Sequence, residues 1–425
     1  MPGFRRNSRT RSRLKIEIPS RMQPVLILVA IAIIIVAVVA LITKDVLHKQ
    51  EIAKKQEEIN SIIYNLFEEE NYEDVEPLDI EMPDKVINIV SIGDVLCETG
   101  ILEDAYDSET ETYDFETMFK GVRKHVSNAD LTLASVETNF VDGENYSGRL
   151  KYNAPLSLLG ELKDMGVDVI SNATNHSLDF GFSGIVSTIN NIQKLGMDNI
   201  GTNKNEEEAS KVLIKDIKGI KIAFLSYTYG ITSDKKNLEE SPEYGLNLIN
   251  RDKIAADIKK SKEEGADFTF LLMHWGEVEE SKQNEEQKDL ANFLFENGAD
   301  FIFGTHPASI QPMEVRLNDK GNSVFIAYSV GNFISSREYK NSNIEMILNI
   351  EITKDGETKE TRLTKVTYTP VYLLDRGKKA KDRYRLVDIK QEIENYELGG
   401  GNITDKEYER LLQALIDIDK LVYGK

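Results

Sequence analysis

Three of the five histidines in this 425-residue chain stand in short polar clusters that follow apolar runs. His176 closes Asn172-Ala173-Thr174-Asn175-His176, His274 opens His274-Trp275-Gly276-Glu277, and His306 sits in Gly304-Thr305-His306-Pro307. Two further apolar runs end in carboxylates, at Gly93-Asp94 and at Glu137-Thr138-Asn139. Carboxylate, amide and imidazole together are the donor set of Mn, Fe, Zn or Mg sites. A metal held that way turns water into hydroxide and polarises a substrate oxygen. An Asn amide oxygen can ligate, the histidine beside it can act as acid, base or oxyanion stabiliser, and Asp179 is near enough in sequence to orient the His176 ring.

Taken singly, each cluster has a plainer reading. Asp94 is an ordinary turn or helix-cap acid. Glu137 must be solvated, paired or metal-bound, because burying it bare is costly. Asn175-His176 is a polar turn ahead of a helix. His274 is a core histidine beside the chain's one tryptophan, and Gly304 to Pro307 is a punctuated loop. Five such clusters in order point jointly to a metal-dependent site. His48 and His125 fit no cluster and read as surface residues.

These side chains need elements that bring them together. Residues 86–92, 131–136, 167–170, 268–273 and 301–303 are short, mostly apolar and rich in β-branched or aromatic residues, so they read as buried strands. Runs at 221–227 and 324–329 read the same way. Helical spacing fits 115–126, 155–165, 183–195, 252–264 and 285–297. Strands alternating with helices predict an α/β fold, in which sites gather beyond the carboxyl ends of strands. Strand-like runs dominate 344–387, and an amphipathic helix is expected over 405–423.

The chain is 40% hydrophobic and 29% charged with a formal net charge of -20, which argues against nucleic acid or anionic lipid as a partner of its bulk surface. One cysteine, Cys97, permits no intrachain disulfide. The first 24 residues carry seven cations against Glu17 alone, and an unbroken apolar stretch of 18 residues follows at 25–42. At ~1.5 Å per residue that stretch spans about 27 Å, close to a bilayer core. The expected order is therefore a basic cytoplasmic tail at 1–24, a transmembrane helix at 25–43, a helical stalk and acidic linker at 44–84, a globular domain at 85–390 and a helical extension at 391–425. The positive-inside rule places the tail in the cytoplasm and the rest outside, on a single-pass cell-membrane anchor. A cleaved signal peptide is the competing reading, but its apolar region would be shorter and end in a small-x-small site.

In this order the clusters resemble the CapA family of capsule (poly-γ-glutamate) biosynthesis proteins, a branch of the calcineurin-like metallophosphatase fold. The matching stretches include Ser91-Ile92-Gly93-Asp94, Ser135-Val136-Glu137, Asn175-His176-Ser177-Leu178-Asp179-Phe180-Gly181, His274-Trp275-Gly276 and Tyr328-Ser329-Val330-Gly331-Asn332-Phe333. The resemblance implies a four-layer sandwich of two mixed sheets flanked by helices. It implies that Asp94, Glu137, Asn175, His274 and His306 line a metal cleft, and that His176, oriented by Asp179, is the acid/base or transition-state stabiliser. Relatives of the family read Gly-x-His-Pro-His, where this chain has Thr305 and Ala308. Two-metal relatives also begin Asp-x-His, where this chain has Val95 and Leu96 after Asp94. One Mn, Fe or Zn ion rather than two is the expectation. Two functions stay open: a degenerate, accessory role beside the synthase or export subunits of an anionic surface polymer, and metal-dependent phosphoester hydrolysis.

Overall fold

The structure, a computed structural model, describes residues 85–337, 339 and 341–424, together with Lys54. The expected tail, anchor and most of the stalk and linker lie outside the described residues. Among the described residues, no helix is long and apolar enough to cross a membrane.

Eighteen strands appear among the described residues. The first sheet is built on β1 (Lys85–Val95), β4 (Leu131–Val136), β7 (Val169–Ser171) and β8 (Asp198–Ile200), all parallel neighbours. On the other side of β1, β16 (Ile344–Lys354), β17 (Thr361–Asp375) and β18 (Tyr384–Asp388) continue it antiparallel. The second sheet runs β13 (Met313–Leu317), β14 (Ser323–Ala327), β12 (Phe301–Thr305), β11 (Phe268–His274), β10 (Ile220–Thr228), β9 (Leu213–Ile217). Its four inner strands are parallel and its two edges antiparallel. Two small hairpins, β2 (Tyr106–Asp107) with β3 (Thr112–Tyr113) and β5 (Ser147–Arg149) with β6 (Lys151–Asn153), decorate the first sheet's loops.

Strand alternation sorts the apolar side chains into layers. Ile87, Ile89, Leu133 and Val169 of one sheet meet Ile222, Phe224, Phe270, Phe301 and Phe303 of the other. On the outer face of the first sheet, Val90, Ile92, Ala134 and Ile170 pack against Ile101, Phe119, Leu158 and Leu162 from helices. On the outer face of the second, Leu271, Met273, Ile302 and Ile326 pack against Ile254, Ile258, Leu290 and Leu294. The result is helices, sheet, sheet, helices, the four layers that the family resemblance implies. Each side chain of this size contributes roughly 1.5–3 kcal/mol on full burial.

Helices form where the 3.6-residue spacing predicts them, over Leu156–Asp164, Gly181–Lys194, Arg251–Glu263 and Glu285–Glu296. The helix expected over 115–126 is instead two short pieces, Glu116–Phe119 and Arg123–Ser127, on either side of Gly121. A Cβ at Gly121 would come within 2.4 Å of the Leu386 carbonyl oxygen, so close backbone contact takes precedence over helical regularity there. Asp405–Val422 opens with a reciprocal capping box between Thr404 and Glu407. Its Leu411, Ala414 and Ile418 join Ile389 in the same apolar cluster as β16 and β17.

Candidate metal centre

The carboxyl ends of β1, β4, β7, β11 and β12 bring their clusters to one buried cleft. Asp94 does not lie beyond its strand, as the sequence suggests; β1 continues to Val95, and its register with β4 shifts between Ile92 and Asp94. Gly93 permits this, because a Cβ there would stand 2.3 Å from the carbonyl oxygen of Gly331. Asp94 is fully buried and both its oxygens are engaged: Oδ1 accepts from Ser135 Oγ, and Oδ2 accepts from the backbone N–H of His306 at 2.9 Å. Burial still pushes its carboxyl up.

Glu137, His274 and His306 are all buried and can each offer a ligand atom within 4.8 Å of the others. Asn175 joins them, its Oδ1 lying 2.8 Å from His274 Nε2. The amide is turned this way because its Nδ2 donates to Thr232 Oγ1. Thr305 Oγ1 holds His274 Nδ1 at 2.9 Å, which leaves Nε2 facing the cleft. His274 and Trp275 are successive residues of opposite direction: the imidazole enters the cleft, and the indole packs on the outer layer and donates to Tyr328 O at 2.9 Å.

His306 departs from ordinary backbone geometry, with φ at 96°. A non-glycine residue in that region is costly and persists only where its surroundings hold it. The bond from its N–H to Asp94 is one such restraint. Ala308, which follows the loop proline, also has a positive φ of 54° and is buried. It offers no ligand atom.

The electrostatics fit a cation. Burial, and then Asp94, push the Glu137 carboxyl well up, so it needs a positive charge to be ionised. Burial, and then His176, hold His274 well below the usual imidazole range. Burial, and then His274, bring His306 down to about 3, so both rings are neutral and ligand-competent. His306 Nδ1 is buried without a hydrogen-bond partner. Glu137, His274 and His306 thus form a group fit to hold a divalent metal, with Asn175 beside it.

His176 lies on the other side of Glu137, its Nε2 3.8 Å from Glu137 Oε1. Its Nδ1 is 3.0 Å from Asp179 Oδ2, which also accepts the Tyr152 backbone N–H at 3.0 Å. Asp179 therefore fixes Nδ1 as the donor and points Nε2 into the cleft. Leu178, between them, is fully buried against Ala173, Ile185 and Ile189 and locks the loop. Asn139, in the loop after β4, braces it by donating to His176 O at 2.8 Å.

Sequence reasoning passed over Tyr229 and Arg337. Tyr229 follows β10 as the other clusters follow their strands, and its half-exposed ring lies 4.7 Å from that of His306. Arg337 comes just after the Tyr328 to Phe333 motif; the Ser335-Ser336 pair ahead of it is the available signal. His125 is not free on the surface: its Nε2 lies 2.8 Å from Asp388 Oδ2.

With the site described, its relatives can be placed. Residues 88–337 match the family described as Bacterial capsule synthesis protein PGA_cap. The chain is similar to a "Capsule biosynthesis protein CapA" of Bacillus anthracis, 25% identical over 64% of this chain and 65% of that one. It is likewise similar to a "PGA biosynthesis protein CapA" of Bacillus subtilis, 25% identical over 64% of this chain and 70% of that one. The chain thus spans just under two thirds of the first relative. Among solved structures, the calcineurin-like phosphoesterase YfkN of Bacillus subtilis aligns at a TM-score of 0.42 with 13% identity, over 67% of this chain and 90% of that one. The NAD nucleotidase of Haemophilus influenzae aligns at 0.43 with 12% identity, over 79% and 60%.

Proposed function

The chain belongs to the bacterial capsule synthesis protein family, and from that premise we propose that it is a membrane-anchored extracytoplasmic protein of capsule polymer synthesis or export, working through a one-metal cleft. The polymer would be an anionic chain of the poly-γ-glutamate type, and the partners its synthase or export subunits. The observation that carries this reading is the convergence of Glu137, His274 and His306 within 4.8 Å beside the His176 and Asp179 pair.

Glu137, Asn175, His274 and His306 would hold one Mn, Fe or Zn ion. Such an ion supplies a hydroxide and polarises the bond under attack. His176 holds or delivers a proton at Nε2, and Asp179 keeps its ring oriented. Asp94 positions His306. Thr305 and Ala308 stand where relatives carry further imidazoles, which favours a single ion. The basic tail and the apolar run at 25–42 supply the anchor.

A second reading, metal-dependent phosphoester hydrolysis at the cell surface, is favoured by the intact His176 and Asp179 pair. One experiment separates them: delete the gene, then complement with His274→Ala and His176→Ala. Loss of surface polymer on deletion supports the capsule role, and normal polymer in the deletion strain overturns it. Restoration by His176→Ala but not His274→Ala marks a metal-dependent accessory role; failure of both, with phosphoesterase activity in the purified wild type, marks the hydrolase. Protease added to intact cells should remove everything beyond the stalk and spare residues 1–24; a protected C-terminus refutes the anchor.

A further inference from the structure

A chain of net charge -20 that handles a polyanion needs a local cation to receive it. Arg337 is placed for that. Its Nε donates to Glu98 Oε1 at 2.7 Å and its Nη2 to the Tyr152 hydroxyl at 3.2 Å. Glu98 is itself fixed, its Oε2 accepting from Ser335 Oγ at 2.8 Å and Ser336 Oγ at 3.3 Å. Tyr152 in turn meets the His176 ring edge-on, with centroids 4.4 Å apart. The guanidinium is thus held by a rigid frame one ring away from the proton-handling histidine.

Through Tyr152, whose ring packs on His176, Arg337 borders the cleft. The side chain is 20% exposed, so solvent and solutes reach it. Among the described residues no hydrogen bond uses Nη1, and Nη2 has a second hydrogen. A guanidinium with its Nε edge pinned and its Nη groups available matches the two oxygens of a carboxylate or phosphate.

We propose that Arg337 is a substrate-positioning residue, whose Nη groups take an oxyanion of the substrate beside the cleft formed by Glu137, His274 and His306, with Glu98 and Tyr152 aiming it. This rests on that cleft being the working site. The oxyanion is either a carboxylate of a γ-glutamyl chain or a phosphate.

The test is calorimetric titration of the full chain with tri-γ-glutamate and, separately, inorganic phosphate, each with and without Mn(II), with metal content and Tm read on the same samples. Arg337→Gln should weaken at least one probe by about 10- to 100-fold, as loss of a charge-assisted hydrogen bond does, with metal content unchanged. The probe that weakens identifies the source of the oxyanion. Glu98→Gln, which loosens the frame but leaves the guanidinium, should weaken the same probe by less than Arg337→Gln does. Arg337→Lys, which retains the charge but not the fork, should be intermediate and decides the matter if Arg337→Gln does not fold. Wild-type affinity for both probes in the arginine variants, or no binding of either probe by wild type, overturns the proposal. A wild type without metal overturns the proposed cleft instead, and the metal-free titrations still judge Arg337.

Discussion

His274 Nε2 and Asn175 Oδ1, from residues 99 positions apart in the chain, approach to 2.8 Å. Each carries a lone pair suited to a metal. With the ring proton on Nδ1, facing Thr305 Oγ1, both atoms are free to donate to a divalent cation. The first prediction follows. The purified protein should bind about one Mn, Fe or Zn ion per chain, on the ligand preferences of such a donor set. His274→Ala should lose it. Thr305→Val, which removes the hydroxyl on Nδ1, should weaken metal affinity by about 10–100-fold, as outer-shell losses do. Elemental analysis and competitive chelation check both, and unchanged metal content in His274→Ala refutes the assignment.

His176 touches the cleft without belonging to the metal group. If the site turns over substrate, His176→Ala should lower turnover by about 10²–10⁴-fold while metal content and Tm stay near wild type. Asp179→Asn should lower it less, since Asn still contacts the ring but no longer supplies the negative charge. Parallel loss of metal in His176→Ala would instead make it a ligand.

Much of this was legible in the chain, for a physical reason. Parallel strands buried on both faces read as uninterrupted apolar runs, so 131–136 and 268–273 locate β4 and β11 almost to the residue. Their polar ends then stand out by contrast. What periodicity cannot carry is contact between distant segments. Nothing local to Gly93 announces that Gly331 will press against it, so the continuation of β1 through Asp94 was not readable. Nor does the sequence near Arg337 show that Glu98, 239 positions away, will hold its guanidinium. Asp94 reads as a lone strand-end acid, yet its role depends on a backbone N–H 212 residues later.

Gly304 offers a test of how tightly the cleft depends on that packing. A Cβ there would stand 1.9 Å from Tyr328 O and 2.7 Å from Trp275 Nε1. Gly304→Ala must push β12 away from β14, shifting Thr305 and His306. Overpacking of this kind costs roughly 1–3 kcal/mol, so denaturant midpoints should fall and metal content with them. A variant of wild-type stability that keeps its metal would show that the strand has room to move.

The last prediction concerns Asp300, at the entrance to β12. Its Oδ2 accepts the backbone N–H of Thr269 at 2.8 Å, but burial pushes its carboxyl up to about 6, with Lys262 and Lys320 only partly offsetting. An unfolded aspartate titrates near ~3.9. Below about pH 4 both states are protonated and the group costs nothing. Between about 4 and 6 the unfolded chain ionises while the folded one holds its proton, so stability falls as pH rises. Above about 6 both are ionised and the full penalty stands, about 2–3 kcal/mol for a shift of roughly two pH units. Asp300→Asn keeps an acceptor for Thr269 and cannot ionise. Its stability relative to wild type should therefore be near zero at pH 4 and more favourable by about 2–3 kcal/mol at pH 7.5, read from denaturant unfolding at the two pH values. A difference that does not change with pH would mean that Asp300 titrates alike in the folded and unfolded chains, and that burial does not shift it.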